Sequence, residues 1–194
     1  MTSHDGDATL RKGERTRLAI LEAAREQFHR LGYDGASIRG IAAGANIDPS
    51  MVMRYYGSKE GLFAAAVDVD LRLPDITDCP PTMRGRRLVE HFLARWEGTP
   101  RDDVLVLLLR SAVTNETARD RMHRIFTEQL GACVASVTEP ASAPRRAALI
   151  ATQMLGLALC RYVLELPAVV AATPEQLATD LGPNIQRYLT APVS

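Results

Sequence analysis

The chain has 194 residues with 23 basic and 23 acidic side chains, so its formal charge is zero and a uniformly basic nucleic-acid binder is excluded. Hydrophobic residues at 46% supply enough apolar surface for one or two domains without a staple, and aromatics at only 5% beside abundant Ala, Leu and Arg favour helix over sheet. Cys79, Cys133 and Cys160 form no C-x-x-C pair, the histidines have no metal-ligand spacing, and the longest apolar run, 104–109, is far below the roughly 20 residues of a membrane span. These features point to a soluble cytoplasmic protein with no disulfide framework, metal site or cofactor.

In chain order, residues 1–10 are polar and read as an arm. Over about 14–31, Leu21, Ala24, Phe28 and Leu31 recur at helical steps, and Gly32 ends the helix. Ser37 caps a short helix with Ile38, Ile41, Ala42 and Ala45 on one face, and Asn46 can take the left-handed backbone of a tight turn. Asp48-Pro49 opens a helix reaching Tyr56; Gly57-Ser58 stops it and caps the next, from Lys59 to about Val69. A stretch over 73–82 with Pro74, Pro80 and Pro81 interrupts the helical pattern. Further helices are expected over about 84–97, 102–115, 118–138, 143–166 and 174–189, Thr99-Pro100 opening the second and Thr173 with Gln176 boxing the last. The fold class is all-α.

Two short helices behind a longer one fit a helix-turn-helix, whose second short helix enters the major groove, and fit equally a helical hairpin inside a bundle. Between Arg11 and Gly61 nine basic side chains face six acidic ones, a modest local excess. The segment 15–63 resembles the DNA-binding domain of the TetR (tetracycline repressor) family. The resemblance is carried by Ile20-Leu21-x-x-Ala24, Phe28-x-x-x-Gly32, Ile41-Ala42, Ile47-Asp48 and Tyr56-x-Ser58-Lys59-Glu60-x-Leu62-Phe63. It implies an N-terminal three-helix helix-turn-helix domain over 11–62 and a C-terminal helical ligand-binding and dimerisation domain over 63–194. It also implies a homodimer that represses from a palindromic double-stranded DNA operator and is released by a small-molecule effector.

Carried over by position, the resemblance implies that Ser37, Arg39, Tyr55 and Lys59 contact the DNA backbone, while Ser50, Met51 and Arg54 face the groove or its edges. Hydroxyls and cations suit phosphate oxygens, and arginine reads guanine bidentately. Met53 stands where the family usually has a phosphate-contacting Tyr, and Asn46 where it usually has Gly. Arg25 and Arg30 read as solvated charges.

The segment 147–160 is apolar nearly all round, so it is expected to be buried on two sides, one against its own domain and one against a symmetry mate. Ala151, Gly156 and Ala158 would permit close approach there; a core helix of a monomer is the alternative. His91, Trp96, His123, Phe126, Met154, Arg161 and Tyr162 are candidates for lining an effector cavity, and each also fits ordinary packing. No nucleophile elbow, P-loop, dinucleotide fingerprint or metal motif supports a small helical enzyme, so no catalytic residue is expected. A thiol-based redox-sensing regulator using Cys133 or Cys160 is the other alternative, although thiols in apolar helical stretches are usually inert.

Overall fold

The computed structural model describes residues 4–97 and 103–192, with side chains over 13–97 and 104–192, and every regular element among them is helical. Helix α1 (His4–Gly35) buries Ile20, Ala23, Ala24 and Phe28 along one stripe. It starts well before Glu14 and takes in most of the expected arm, because Ala8, Leu10 and Arg11 are good helix formers and extending a helix costs far less than nucleating one. The arm's residues 1–3 lie outside the described residues. Gly32, at φ 70° and ψ 177°, kinks the chain before a last turn, a backbone state that side-chain-bearing residues avoid.

Helices α2 (Ile38–Gly44), α3 (Pro49–Tyr56) and α4 (Lys59–Ala66) follow, each opened by a side-chain cap. Ser37 Oγ accepts from the Gly40 amide at 3.1 Å, Asp48 Oδ1 from Ser50 at 2.8 Å and Ser58 Oγ from Gly61 at 3.0 Å. Asn46 takes φ 55°, the left-handed state anticipated for the turn between α2 and α3. Helix α4 ends at Ala66, three residues short of the expected Val69, where the Arg25 Nε–H donates to the Ala66 carbonyl at 3.1 Å and the chain departs extended.

After this connector a 3₁₀ turn, Pro81–Met83, leads into α5 (Arg84–Glu97), which matches its expected span. The Thr99-Pro100 start signal lies outside the described residues. Helix α6 (Asp103–Ser111) stops before Asn115, because Asn115 instead caps α7 (Glu116–Arg124) by accepting from the Ala118 amide at 3.0 Å. A π turn, Ile125–Leu130, joins α7 to α8 (Gly131–Ala135), and a second, Leu159–Val163, extends α9 (Ala143–Ala158). A short α10 (Pro167–Ala171) was not expected; α11 (Pro174–Thr190) opens with the anticipated capping box.

Two apolar cores result. One joins α1–α4 to α6, α7 and the first π turn through Phe28, Ile41, Val52, Leu62 and Phe63 with Leu107, Leu108, Ala118 and Ile125. The other joins α5, α8, α9 and α11 through Leu88, Leu93, Val134, Ile150, Ala178 and Ile185. Helices α5 and α11 cross at Gly85 and Gly182, where the Gly85 amide donates to Gln186 Oε1 at 3.0 Å. Arg86 spans the same crossing to Thr179 Oγ1 at 3.2 Å and Glu175 at 2.5 Å. A β-carbon on Gly85 would fall on the Gln186 backbone nitrogen and lie 2.5 Å from the Gly182 carbonyl oxygen, and backbone cannot swing aside as a side chain can. Gly85→Ala is therefore expected to destabilise the fold by about 1–3 kcal/mol. Urea unfolding checks this, and an unchanged midpoint would contradict the close crossing.

Candidate nucleic-acid interface and internal cavity

Helix α3 has a buried spine, Val52, and an outward edge of Ser50, Met53 and Arg54, with Met51 and Tyr55 half-buried at its flanks. Its rear is tied to α1: the Tyr56 hydroxyl donates to the Arg17 carbonyl at 2.8 Å, and the Arg17 guanidinium lies 5.7 Å over the Tyr56 ring. Behind both, Phe28 and Phe63 meet edge to face at 5.0 Å, and Phe63 meets Tyr33 likewise at 4.9 Å. The Tyr33 hydroxyl donates to Glu60 at 2.7 Å, clamping the kinked end of α1 onto the first turn of α4. Burial first, and then this bond, push the Tyr33 phenol up to about 12, while the same bond holds the Glu60 carboxyl below its usual range.

The residues expected to meet DNA lie on one run of elements, α2 through the start of α4. Ser37 and Arg39 are exposed on the first turn of α2. The Ser37 oxygen accepts from Gly40, which leaves its hydroxyl hydrogen for an outside acceptor. Arg54 is exposed, its guanidinium 5.4 Å from the Tyr55 ring centre. Lys59 is less free than expected: its ammonium sits 4.6 Å over the Tyr33 ring and donates to the Asp34 carbonyl at 3.4 Å, keeping further N–H groups for a partner. Met53, which stands where the family usually has a phosphate-contacting Tyr, is 45% exposed on the outward edge. Its place on α3 was visible in the sequence, and a search for polar contacts alone passes over it.

Arg25, read as a solvated charge, is half-buried at the end of α4, and desolvation lowers its pKa. Arg30 is exposed, as read. Burial, then Asp75, pushes the Cys133 thiol up, which disfavours the thiolate a redox sensor uses. Ala151 and Ala158, expected at a symmetry contact, are buried in their own core because they share the α9 face with Ala147 and Ile150. Gly156 faces outward with open space around it.

The connector after α4 has no ladder or helix to bond its backbone, and side chains from the C-terminal helices serve instead. Gln129 accepts from the Leu71 amide at 2.7 Å and donates to the Val69 carbonyl at 3.0 Å. The His91 Nε2–H donates to the Leu71 carbonyl at 2.9 Å, Arg95 reaches the Asp70 carbonyl at 3.4 Å, and Arg121 pairs with Asp68. Beside this connector lies a cavity of about 80 Å³ at the seam of the two cores, with Leu105 and Ile125 from one and Leu88 and Ile150 from the other. Of the candidate lining residues, His91, Trp96, Phe126 and Met154 face it. His123 is exposed, and Tyr162 stacks behind Trp96 with ring centres 4.8 Å apart, while Arg161 binds the Val169, Val170 and Ala172 carbonyls.

Residues 20–66 match the family described as bacterial regulatory proteins, tetR family, and residues 83–189 match the tetracyclin repressor-like C-terminal domain. The HTH-type transcriptional repressor SCO4008 of Streptomyces coelicolor is 35% identical over 101 residues, 45% of this chain, which spans only about half (52%) of that repressor. The crystal structure of the TetR-family regulator SCO0857 from Streptomyces coelicolor is 34% identical, with TM-score 0.65 over 91% of this chain and 96% of that one. The fold is also that of AibR, solved with isovaleryl coenzyme A and operator DNA, at 22% identity and TM-score 0.60 over 88% of this chain and 97% of that one.

Because the folded Tyr33 phenol ionises above its ordinary value of 10.0, the stability it contributes is complete below that pH and is lost as pH rises through about 12. Tyr33→Phe removes this titration. The stability gap between wild type and Tyr33→Phe is expected to shrink between about pH 9 and about pH 11, measured by urea unfolding at each, and a constant gap would contradict the Tyr33–Glu60 clamp.

Proposed function

The chain belongs to the TetR family of bacterial transcriptional regulators, and from that premise we propose that it is a homodimeric repressor whose hold on its operator is broken by a small molecule in the cavity. The observation that carries this reading is the outward edge of α3, a capped helix with exposed Ser50, Met53 and Arg54 whose opposite side is fixed to α1. The DNA-binding unit is 11–62 and the effector-binding and dimerisation unit 63–194. AibR shows this fold accommodating both an acyl-coenzyme A and operator DNA. The protein acts with chromosomal DNA in the cytoplasm; no helix among the described residues is long and apolar enough to cross a membrane.

In this reading Arg54 pairs bidentately with a guanine and Met53 packs on a thymine methyl, while Ser50 and Met51 lie along the groove edge. Ser37, Arg39, Tyr55 and Lys59 bind phosphates on either side, where the open amides of the first turn of α4 add their partial positive charge. Footprinting on the protein's own genome, followed by titration of the site found, tests the assignment. Arg54→Ala is expected to cost about 1–3 kcal/mol on the operator and much less on random DNA, whereas Lys59→Ala weakens both alike and reduces the salt slope by about one phosphate contact. Equal losses from Arg54→Ala on both DNAs would remove it from base reading.

The dimer forms through α9 and α11, as the outward side of α9 argues: Ala148, Thr152 and Gly156 give way to Leu159, which is 41% exposed, with Leu164 at 56% beyond it. An apolar strip of that kind on one protomer fits a twofold contact with its own copy. A charge at Ala158 would enter the protomer's own core, so Leu159 is the cleaner probe. Leu159→Glu is expected to yield folded monomers by light scattering with helical circular dichroism retained, and a persistent dimer would move the interface elsewhere.

A further inference from the structure

We propose that the cavity between the two cores takes a small aromatic carboxylic acid, with the ring among the aromatic side chains and the carboxylate at Arg95 and His91. The inference rests on the effector reading above and gives the effector its chemistry. The wall is apolar apart from a few groups, and among the described residues the ionisable side chains that line it are His91 and Arg95, with no aspartate or glutamate. These two stand at positions i and i+4 of α5, so their polar ends lie one turn apart on the same helix face. Both make bonds to oxygen acceptors there, His91 to the Leu71 carbonyl at 2.9 Å and Arg95 to the Asp70 carbonyl at 3.4 Å. A carboxylate is a charged acceptor for the same donors and binds them more strongly than a peptide carbonyl does. An ammonium would meet the guanidinium at short range in an apolar enclosure, where like charges repel most.

The other end of the site suits a ring. Phe92 and Trp96 lie with centroids 5.5 Å apart, and Trp96 is fixed from behind by Tyr162, whose ring stacks at an interplanar angle of 10°. Phe126 adds a further aromatic wall. The cavity of about 80 Å³ is smaller than the roughly 150 Å³ that encloses a benzene ring, so a single small ring enters by parting the side chains of the seam and nothing larger is accommodated.

Occupation of the site reaches the DNA-binding helices by competition. Asp70 and Leu71 belong to the connector that leaves α4, so a carboxylate that draws Arg95 and His91 to itself loosens two of the bonds fixing that segment.

Calorimetric titration of the full-length protein with benzoate, benzyl alcohol and benzylammonium tests the head-group chemistry on matched ring probes. A fluorescently labelled operator fragment in parallel reads release. Benzoate is expected to bind about tenfold or more tightly than benzyl alcohol, with benzylammonium weakest, and to lower operator affinity. Arg95→Met is expected to abolish the preference for benzoate while benzyl alcohol still binds. Benzoate no tighter than the alcohol, or no binding of any probe, overturns the inference on wild-type protein alone. An alcohol that binds and releases operator without a benzoate preference overturns the carboxylate site and leaves the effector reading intact. The expected preference without any change in operator affinity upholds the site's chemistry and overturns the effector reading.

Discussion

Buried backbone must find hydrogen-bond partners, and the stretch leaving α4 has neither a helix nor a ladder to supply them. Gln129, His91, Arg95 and Arg121 meet this requirement from α5, α7 and the π turn, so the position of the connector is dictated by side chains of the C-terminal helices. The first core adds to this dependence, because α6 and α7 share their apolar contacts with α1–α4. The DNA-reading helices are thereby continuous in packing with part of the larger unit, and the cavity lies where that continuity meets the second core. A small change at the seam is felt by both cores, since close-packed interiors respond to strain by repacking as discrete units.

Local signals were the legible part of the sequence. The caps at Ser37, Asp48 and Ser58 and the left-handed turn at Asn46 depend on residues within a few positions of one another, and they lie where the pattern put them. The same holds for α5 and the Thr173–Gln176 box. What the pattern could not carry was any choice made by a distant partner. Arg25 is capped onto Ala66 rather than solvated because α4 ends against it. Ala158 faces inward because it shares a helix face with Ala147 and Ala151, and a helix apolar on nearly every side has no polar stripe to reveal which face that will be. Helix α10 is five residues long and falls below the length at which periodicity can be recognised.

The candidate site divides in the same way. Resemblance and local pattern locate α3 and its neighbours, so the exposed positions Ser37, Arg39, Ser50 and Arg54 follow from helix geometry. The docking of Lys59 over Tyr33 does not, since it needs the kink at Gly32 to bring the end of α1 against α4. For the cavity, His91 and Arg95 are one helical turn apart and belong together in the sequence. Their relation to Leu71 depends on a connector whose course only tertiary structure determines.

The π turn at Ile125–Leu130 bears on how such a rod tolerates change in length. A wider turn accommodates an extra residue locally, so the helix beyond it keeps the same faces inward instead of rotating through a hundred degrees. Thr127 eases the local opening, its hydroxyl donating to the His123 carbonyl at 2.9 Å with the Arg124 carbonyl 3.3 Å away. A residue gained or lost in this part of the chain is therefore absorbed most readily at the turn itself, which lets Leu130 at its end and Val134 in the helix beyond keep their places in the core.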